Sequence, residues 1–106
     1  MTPVKRQTVT VYATGWLVSG SRQFWCTRDK YGERPFKWVV SSGSQPEGFD
    51  RAVQSMRVGE KATFTISPTF AYGVAGEAKF ALPVPGNAPI RVEFKLIKIE
   101  ETPERK

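Results

Sequence analysis

Residues 62–73, Ala62-Thr63-Phe64-Thr65-Ile66-Ser67-Pro68-Thr69-Phe70-Ala71-Tyr72-Gly73, read as a strand that stops at a proline and hands over to an aromatic loop. Ala62, Phe64 and Ile66 face one way while Thr63, Thr65 and Ser67 face the other, the alternation of a half-buried strand. Pro68 has no N–H for a ladder, so pairing is expected to end there. Gly73 permits a backbone angle that a Cβ would resist, which turns Tyr72 back over the strand end. An aromatic ring carrying a hydroxyl at the mouth of a β-structure can close an apolar pocket and donate one hydrogen bond. The same spacing also fits a loop whose aromatics cap the core.

Working outward, residues 8–13 alternate as a strand with Val9, Val11 and Ala13 inward, and residues 36–40 form a second strand. Gly15 and Gly20 mark bends, and residues 41–46 are rich in turn formers. A short amphipathic helix is predicted over 47–56, where Phe49, Ala52, Val53 and Met56 make one apolar stripe. Glu47 and Asp50 lie in its first turns, where the helix dipole favours negative charge, and Gly59 provides the stop. Residues 90–96 alternate cleanly, after which Ile97 and Ile99 become the apolar positions. A β-bulge near Leu96 would produce that change of register. Phe64, Phe94 and Trp16 read as scaffold.

The composition excludes much chemistry. The 106 residues hold no histidine and one cysteine, Cys26, so there is no Ser-His-Asp triad, no Cys-His pair and no zinc-ribbon spacing. The carboxylates are scattered, and no cofactor or metal is expected. An enzyme made from this chain needs a reaction with little acid–base work. A lone cysteine fits a reducing compartment, and no apolar run nears the ~20 residues of a membrane span. The expectation is a cytoplasmic monomer, with the nucleus also open. The net charge is +6, and residues 22–37 interleave Arg22, Arg28, Lys30, Arg34 and Lys37 with Phe24, Trp25, Tyr31 and Phe36. That composition suits a nucleic-acid or acidic surface, but equally a solvated loop whose aromatics turn inward.

The segments Met56-Arg57-Val58-Gly59-Glu60 and Ile66-Ser67-Pro68-Thr69-Phe70-Ala71-Tyr72-Gly73, supported by Arg34-Pro35-Phe36-Lys37-Trp38 and residues 11–17, occur in a telling order. In that order and at those separations the chain resembles the FKBP family, the tacrolimus-binding immunophilins that isomerise peptidyl-prolyl bonds. The resemblance spans residues 8–100, leaving 1–7 as an extension and 101–106 as a polar tail or linker start. It implies an α+β fold, a twisted antiparallel sheet wrapped across one short α-helix. It also implies a prolyl isomerase that assists folding, binding prolyl-containing peptides or client proteins and macrolide ligands.

By the same resemblance Tyr72, Phe24 and Phe36 carry catalysis, matching the family residue for residue. Phe49, Val92, Pro46, Gln45, Trp25, Phe80 and Leu82 bind substrate or ligand. Phe49 stands where the family usually places a tryptophan floor, and Val92 replaces a phenylalanine. Ala13 replaces a tyrosine, and Trp25 an aspartate. Pro46 stands where an isoleucine backbone N–H binds ligand carbonyls, a bond proline cannot make. The implied outcome is reduced activity and weak tacrolimus binding. Two other classes remain compatible with the residues: a catalytically silent FKBP-like co-chaperone module, and a basic domain for nucleic acid or an acidic partner.

Overall fold

The computed structural model describes residues 3–29, 32–77 and 82–101. In chain order the elements are β1 (Gln7–Leu17), β2 (Arg22–Cys26), β3 (Arg28–Asp29), β4 (Gly32–Glu33), β5 (Phe36–Val39), α1 (Glu47–Gln54), β6 (Lys61–Ile66) and β7 (Ile90–Glu101). β1 and β7 are the central antiparallel pair, matched from Gln7 opposite Glu101 to Leu17 opposite Ile90. β6 lies on the far side of β7, while β2 and β5 share the other edge of β1. A separate two-stranded hairpin, β3 with β4, follows β2. The architecture is the expected α+β one: a five-stranded antiparallel sheet with one helix packed on its inner face.

Strand alternation decides which residues form the core. Val9, Val11 and Ala13 of β1 and Val92, Phe94 and Leu96 of β7 are all buried on the helix side. The register change in β7 is a bulge. Thr10 pairs with Lys98 and Val11 with Leu96, so Ile97 is the extra residue. Pairing of β6 ends at Ile66 opposite Ile90, and a 3-10 turn begins at Pro68, as its missing N–H requires.

Gly15 is a correction to the sequence reading. It lies inside β1 and not at a bend, and a Cβ there would come 2.7 Å from the Phe24 ring. Gly20 does sit in a turn, with φ +76°. Residues 22–29 and 32–39 are largely strand, and Phe24 and Trp38 are core residues while Trp25 and Phe36 pack against the core. These rings are therefore committed inward and do not form an exposed stacking platform of the kind nucleic acid uses.

Helix α1 starts directly after Pro46, whose carbonyl accepts the Phe49 N–H at 2.9 Å. Phe49, Ala52 and Val53 are buried on its core face, with Met56 just beyond. Gly48 allows a close approach to the sheet, since a Cβ there would meet the Ile66 side chain and the Phe70 carbonyl at 2.7 Å or less. Asp50 lies in the first turn of α1, as expected from its charge. It is also buried, and its carboxylate accepts the Trp38 Nε1–H at 2.8 Å, tying the helix to β5. Asp50→Ala would leave that indole N–H buried without a partner, a loss of about 1–3 kcal/mol. Asp50→Asn keeps an acceptor and is expected to lose less. Urea unfolding of the two variants checks the order, and equal losses would contradict it.

Candidate functional site

The loop after β6 aims Tyr72. The Ala71 and Gly73 N–H groups both donate to the Pro68 carbonyl, at 3.1 and 2.8 Å, and Gly73 takes φ +63°. This is the left-handed conformation that glycine adopts without penalty. The Gly76 N–H returns to the Tyr72 carbonyl at 3.0 Å, and the Asn87 N–H donates to the Gly73 carbonyl at 2.8 Å. Glu77 and Val84 exchange backbone bonds in an isolated antiparallel bridge.

Tyr72 borders a cavity of about 510 Å³ lined by Trp25, Phe36, Gly43, Ser44, Gln45, Pro46, Ala71, Tyr72 and Glu77. The sequence-predicted residues Trp25, Phe36, Gln45, Pro46 and Tyr72 thus meet at one opening. Phe24, Phe49 and Val92 do not line it. Phe49 and Val92 are 0% exposed and Phe24 is 5% exposed. Leu82 is half-buried against the core and does not line the cavity. Phe80 lies outside the described residues.

The rings form a connected set. Phe24 and Phe49 each meet Tyr72 edge-on, at 6.3 and 6.2 Å between centroids. Trp25 lies parallel to Phe49, 4° between planes at 5.8 Å, and edge-on to Phe36 at 5.2 Å. Two consecutive residues of β2 reach the inner side because of a bulge. Gly15 pairs with Trp25 and Trp16 with Gln23, leaving Phe24 as the extra residue. The side-chain-free Gly15 admits the Phe24 ring.

Glu77 and Ser44 were missed in the sequence. Glu77 contributes the carboxylate of the lining, and its place there goes with the Glu77–Val84 bridge, next to which Gly76 takes φ +69°. Burial, and secondarily the Glu77 carboxylate, raise the Tyr72 phenol above its ordinary range, so its hydroxyl stays protonated at neutral pH. The site therefore offers aromatic walls, a protonated hydroxyl and a carboxylate at one opening. Among the described residues no three His, Cys, Asp or Glu side chains gather as metal ligands, and no helix is long and apolar enough to cross a membrane.

Comparison with known proteins bears on the family and the fold. Residues 1–97 match the family model described as FKBP-type peptidyl-prolyl cis-trans isomerase. The chain is 33% identical over 100 residues to the peptidyl-prolyl cis-trans isomerase FKBP12 of Vicia faba, covering 92% of this chain and 87% of that one. It is 35% identical over 98 residues to the peptidyl-prolyl cis-trans isomerase FKBP1A of Xenopus laevis, covering 92% and 85%. It is 36% identical over 97 residues to the FK506-binding protein 1A of Aspergillus fumigatus, covering 92% and 81%. The crystal structure of the three FKBP domains of wheat FKBP73 superposes with a TM-score of 0.84 at 31% identity, covering 96% of this chain and 42% of that one. With its sheet, its crossing helix and its Tyr72 loop, the chain belongs to the FKBP-type peptidyl-prolyl cis-trans isomerase family.

Proposed function

We propose that the cavity beside Tyr72 is where this isomerase holds the prolyl segment of its substrate, and that its turnover and tacrolimus affinity are reduced. The single observation that supports this most is the convergence of Tyr72, Phe36, Trp25 and Pro46 on one cavity of about 510 Å³. Rotation about an X–Pro bond is slow because it breaks amide resonance, a barrier of ~18–20 kcal/mol. Lowering it requires neither nucleophile nor metal. The rings of Trp25, Phe36 and Tyr72 shield one side of the amide from water, and the Tyr72 hydroxyl donates to a substrate carbonyl more favourably in the twisted state than in the planar one. Each ~1.4 kcal/mol of that preference is tenfold in rate.

The reduction follows from Pro46. It lines the cavity where a backbone donor would serve a ligand carbonyl, yet it carries no N–H, and its own carbonyl is occupied by the Phe49 N–H. Trp25 supplies no carboxylate at the neighbouring position. Loss of one or two hydrogen bonds of ~1 kcal/mol each predicts tacrolimus binding about fivefold to thirtyfold weaker than in relatives with both groups. A protease-coupled prolyl-peptide assay, run with and without tacrolimus, tests both parts. Catalysis that tacrolimus inhibits only weakly is expected. Nanomolar tacrolimus affinity by calorimetry would refute the role given to Pro46. The absence of any prolyl turnover would refute the site itself. Clients are then prolyl segments of other proteins, met by a monomer in the cytoplasm, a location the single cysteine supports.

A further inference from the structure

We propose that the free edge of β6 is a docking site for an extended segment of a partner protein, one with apolar side chains at alternate positions and an acidic residue where it meets Lys61. The site lies apart from the cavity beside Tyr72, shares none of its lining residues and does not depend on what that cavity does. β6 ends the strand order of the sheet, and among the described residues no strand pairs with its other side. The Leu96 N–H donates to the Glu60 carbonyl at 3.0 Å, which makes that opposed pair a hydrogen-bonded one. Hydrogen-bonded and open pairs alternate along an antiparallel ladder. Ala62, Phe64 and Ile66, opposite Phe94, Val92 and Ile90, therefore spend their N–H and C=O groups on β7. Lys61, Thr63 and Thr65 turn theirs outward, and all three residues are exposed. The edge thus presents a row of donors and acceptors in strand spacing, with neither proline nor bulge to blunt it.

A strand added to such an edge gains affinity from main-chain bonds and specificity from places for its alternate side chains. Those places exist. An open groove of about 360 Å³ lies beside α1 and the end of β6, with Ala52, Phe64, Ile66 and Phe70 among its walls. Side chains of an incoming strand that fall opposite Ala62, Phe64 and Ile66 enter on this helix side, where the Arg51 guanidinium lies 4.5 Å over the Phe70 ring. Those that fall opposite Lys61, Thr63 and Thr65 lie on the outer face. There Lys61 stands directly across from Lys95, a pairing of like charges that is destabilising, and Lys61 Nζ reaches the Glu93 carboxylate at 3.6 Å. A further carboxylate beside Lys61 relieves that repulsion, and the net charge of +6 attracts an acidic partner at longer range. A second copy of the chain fits less well. Its own Ile66 is 6% exposed and held in its core, so its β6 has no side chain free to fill the groove, and two chains of charge +6 repel.

The probe is the peptide acetyl-Val-Thr-Val-Thr-Val-Glu-amide. Laid antiparallel from Ile66 to Lys61, it turns its valines to the groove and sets its glutamate beside Lys61. NMR titration gives the affinity, and amide hydrogen exchange follows Thr63 and Thr65. In the free protein at low concentration both amides should exchange fast, and the peptide should protect them. N-methylation of the second threonine of the peptide, whose N–H faces Thr63, should weaken binding about fivefold or more, the effect of one lost hydrogen bond. N-methylation of the second valine, whose N–H faces away, should weaken it far less. Thr63→Pro removes the same contact from the protein side. The Thr63 N–H takes no part in the β7 ladder, so the variant should fold and bind the peptide more weakly by a similar factor. Should it not fold, the two methylated peptides decide. The proposal is overturned if the peptide does not bind, if the two methylated peptides bind alike, or if Thr63 and Thr65 are already protected in the free protein. Protection that appears only as the protein is concentrated, with sedimentation at dimer mass, assigns the edge to a second copy and overturns it as well.

Discussion

Phe49→Ala is expected to cost about 3–5 kcal/mol, the range for deleting a fully buried aromatic ring. Phe49 is 0% exposed and its ring meets four others, those of Trp25, Trp38, Tyr72 and Phe94, at 5.4 to 6.3 Å. The void could not be filled from α1, because Gly48 already brings that helix against Ile66 and the Phe70 carbonyl. For a domain of this length each kcal/mol is roughly 4–8 °C of Tm, so the melting point should fall by about 15 °C or more. Much of the ~5–15 kcal/mol that holds a typical domain would be gone, and activity would be lost with the fold. A loss below about 1 kcal/mol in urea unfolding would mean that Phe49 is a pocket floor open to solvent and not the hub of the core. Phe49→Trp, the residue usual in the family, is expected to destabilise through overpacking by about 1–3 kcal/mol. Combined with Trp25→Ala it should regain part of that, because the two rings compete for one space.

The same pair of rings shows what can be read from a sequence of this kind. Burial on one face of a strand forces alternation, so the inward positions Val9, Val11, Ala13, Phe94 and Ile66 were legible residue by residue. The break at Pro68 and the angle at Gly73 were legible because proline and glycine act through their own backbone. Depth was not. Periodicity identifies the face on which Phe49, Phe24 and Val92 lie, but not how many layers cover them. Trp25 was read as the loss of a polar contact, whereas its ring became a wall. Its direction follows from a bulge that exists only when β2 is laid against Gly15 of β1. Asp50 illustrates the same limit. Its place in the first turn of α1 was correct, yet its partner, Trp38, came from a strand with no local link to it. Glu77 is held at the cavity by a backbone bridge to Val84, seven residues on, that no local pattern announces.

Tyr72 separates chemistry from packing most sharply, because one of its variants removes only an oxygen. Tyr72→Phe keeps the ring against Phe24 and Phe49 and is expected to leave Tm nearly unchanged. It removes the hydroxyl donor, a loss on the order of 1 kcal/mol, and isomerase activity should fall several-fold. The fall should appear in kcat, since the bond matters in the twisted state more than in the planar one. Tyr72→Ala removes the wall as well and should lower kcat/KM by a further factor of about ten or more, with a measurable drop in Tm. The pH profile supplies an independent check. Burial, reinforced by the Glu77 carboxylate, holds the phenol above its ordinary value of 10.0, so the donor does not titrate near neutrality. With no histidine in the chain, activity should be flat from about pH 6 to 9. The linked stability has the matching sign: the folded phenol keeps its proton more tightly than the unfolded one, so that contribution is complete below the ordinary phenol value and is lost only as pH rises above it. If the phenylalanine variant proves fully active while the alanine variant loses stability and activity together, Tyr72 is a packing residue and the hydroxyl has no part in the reaction.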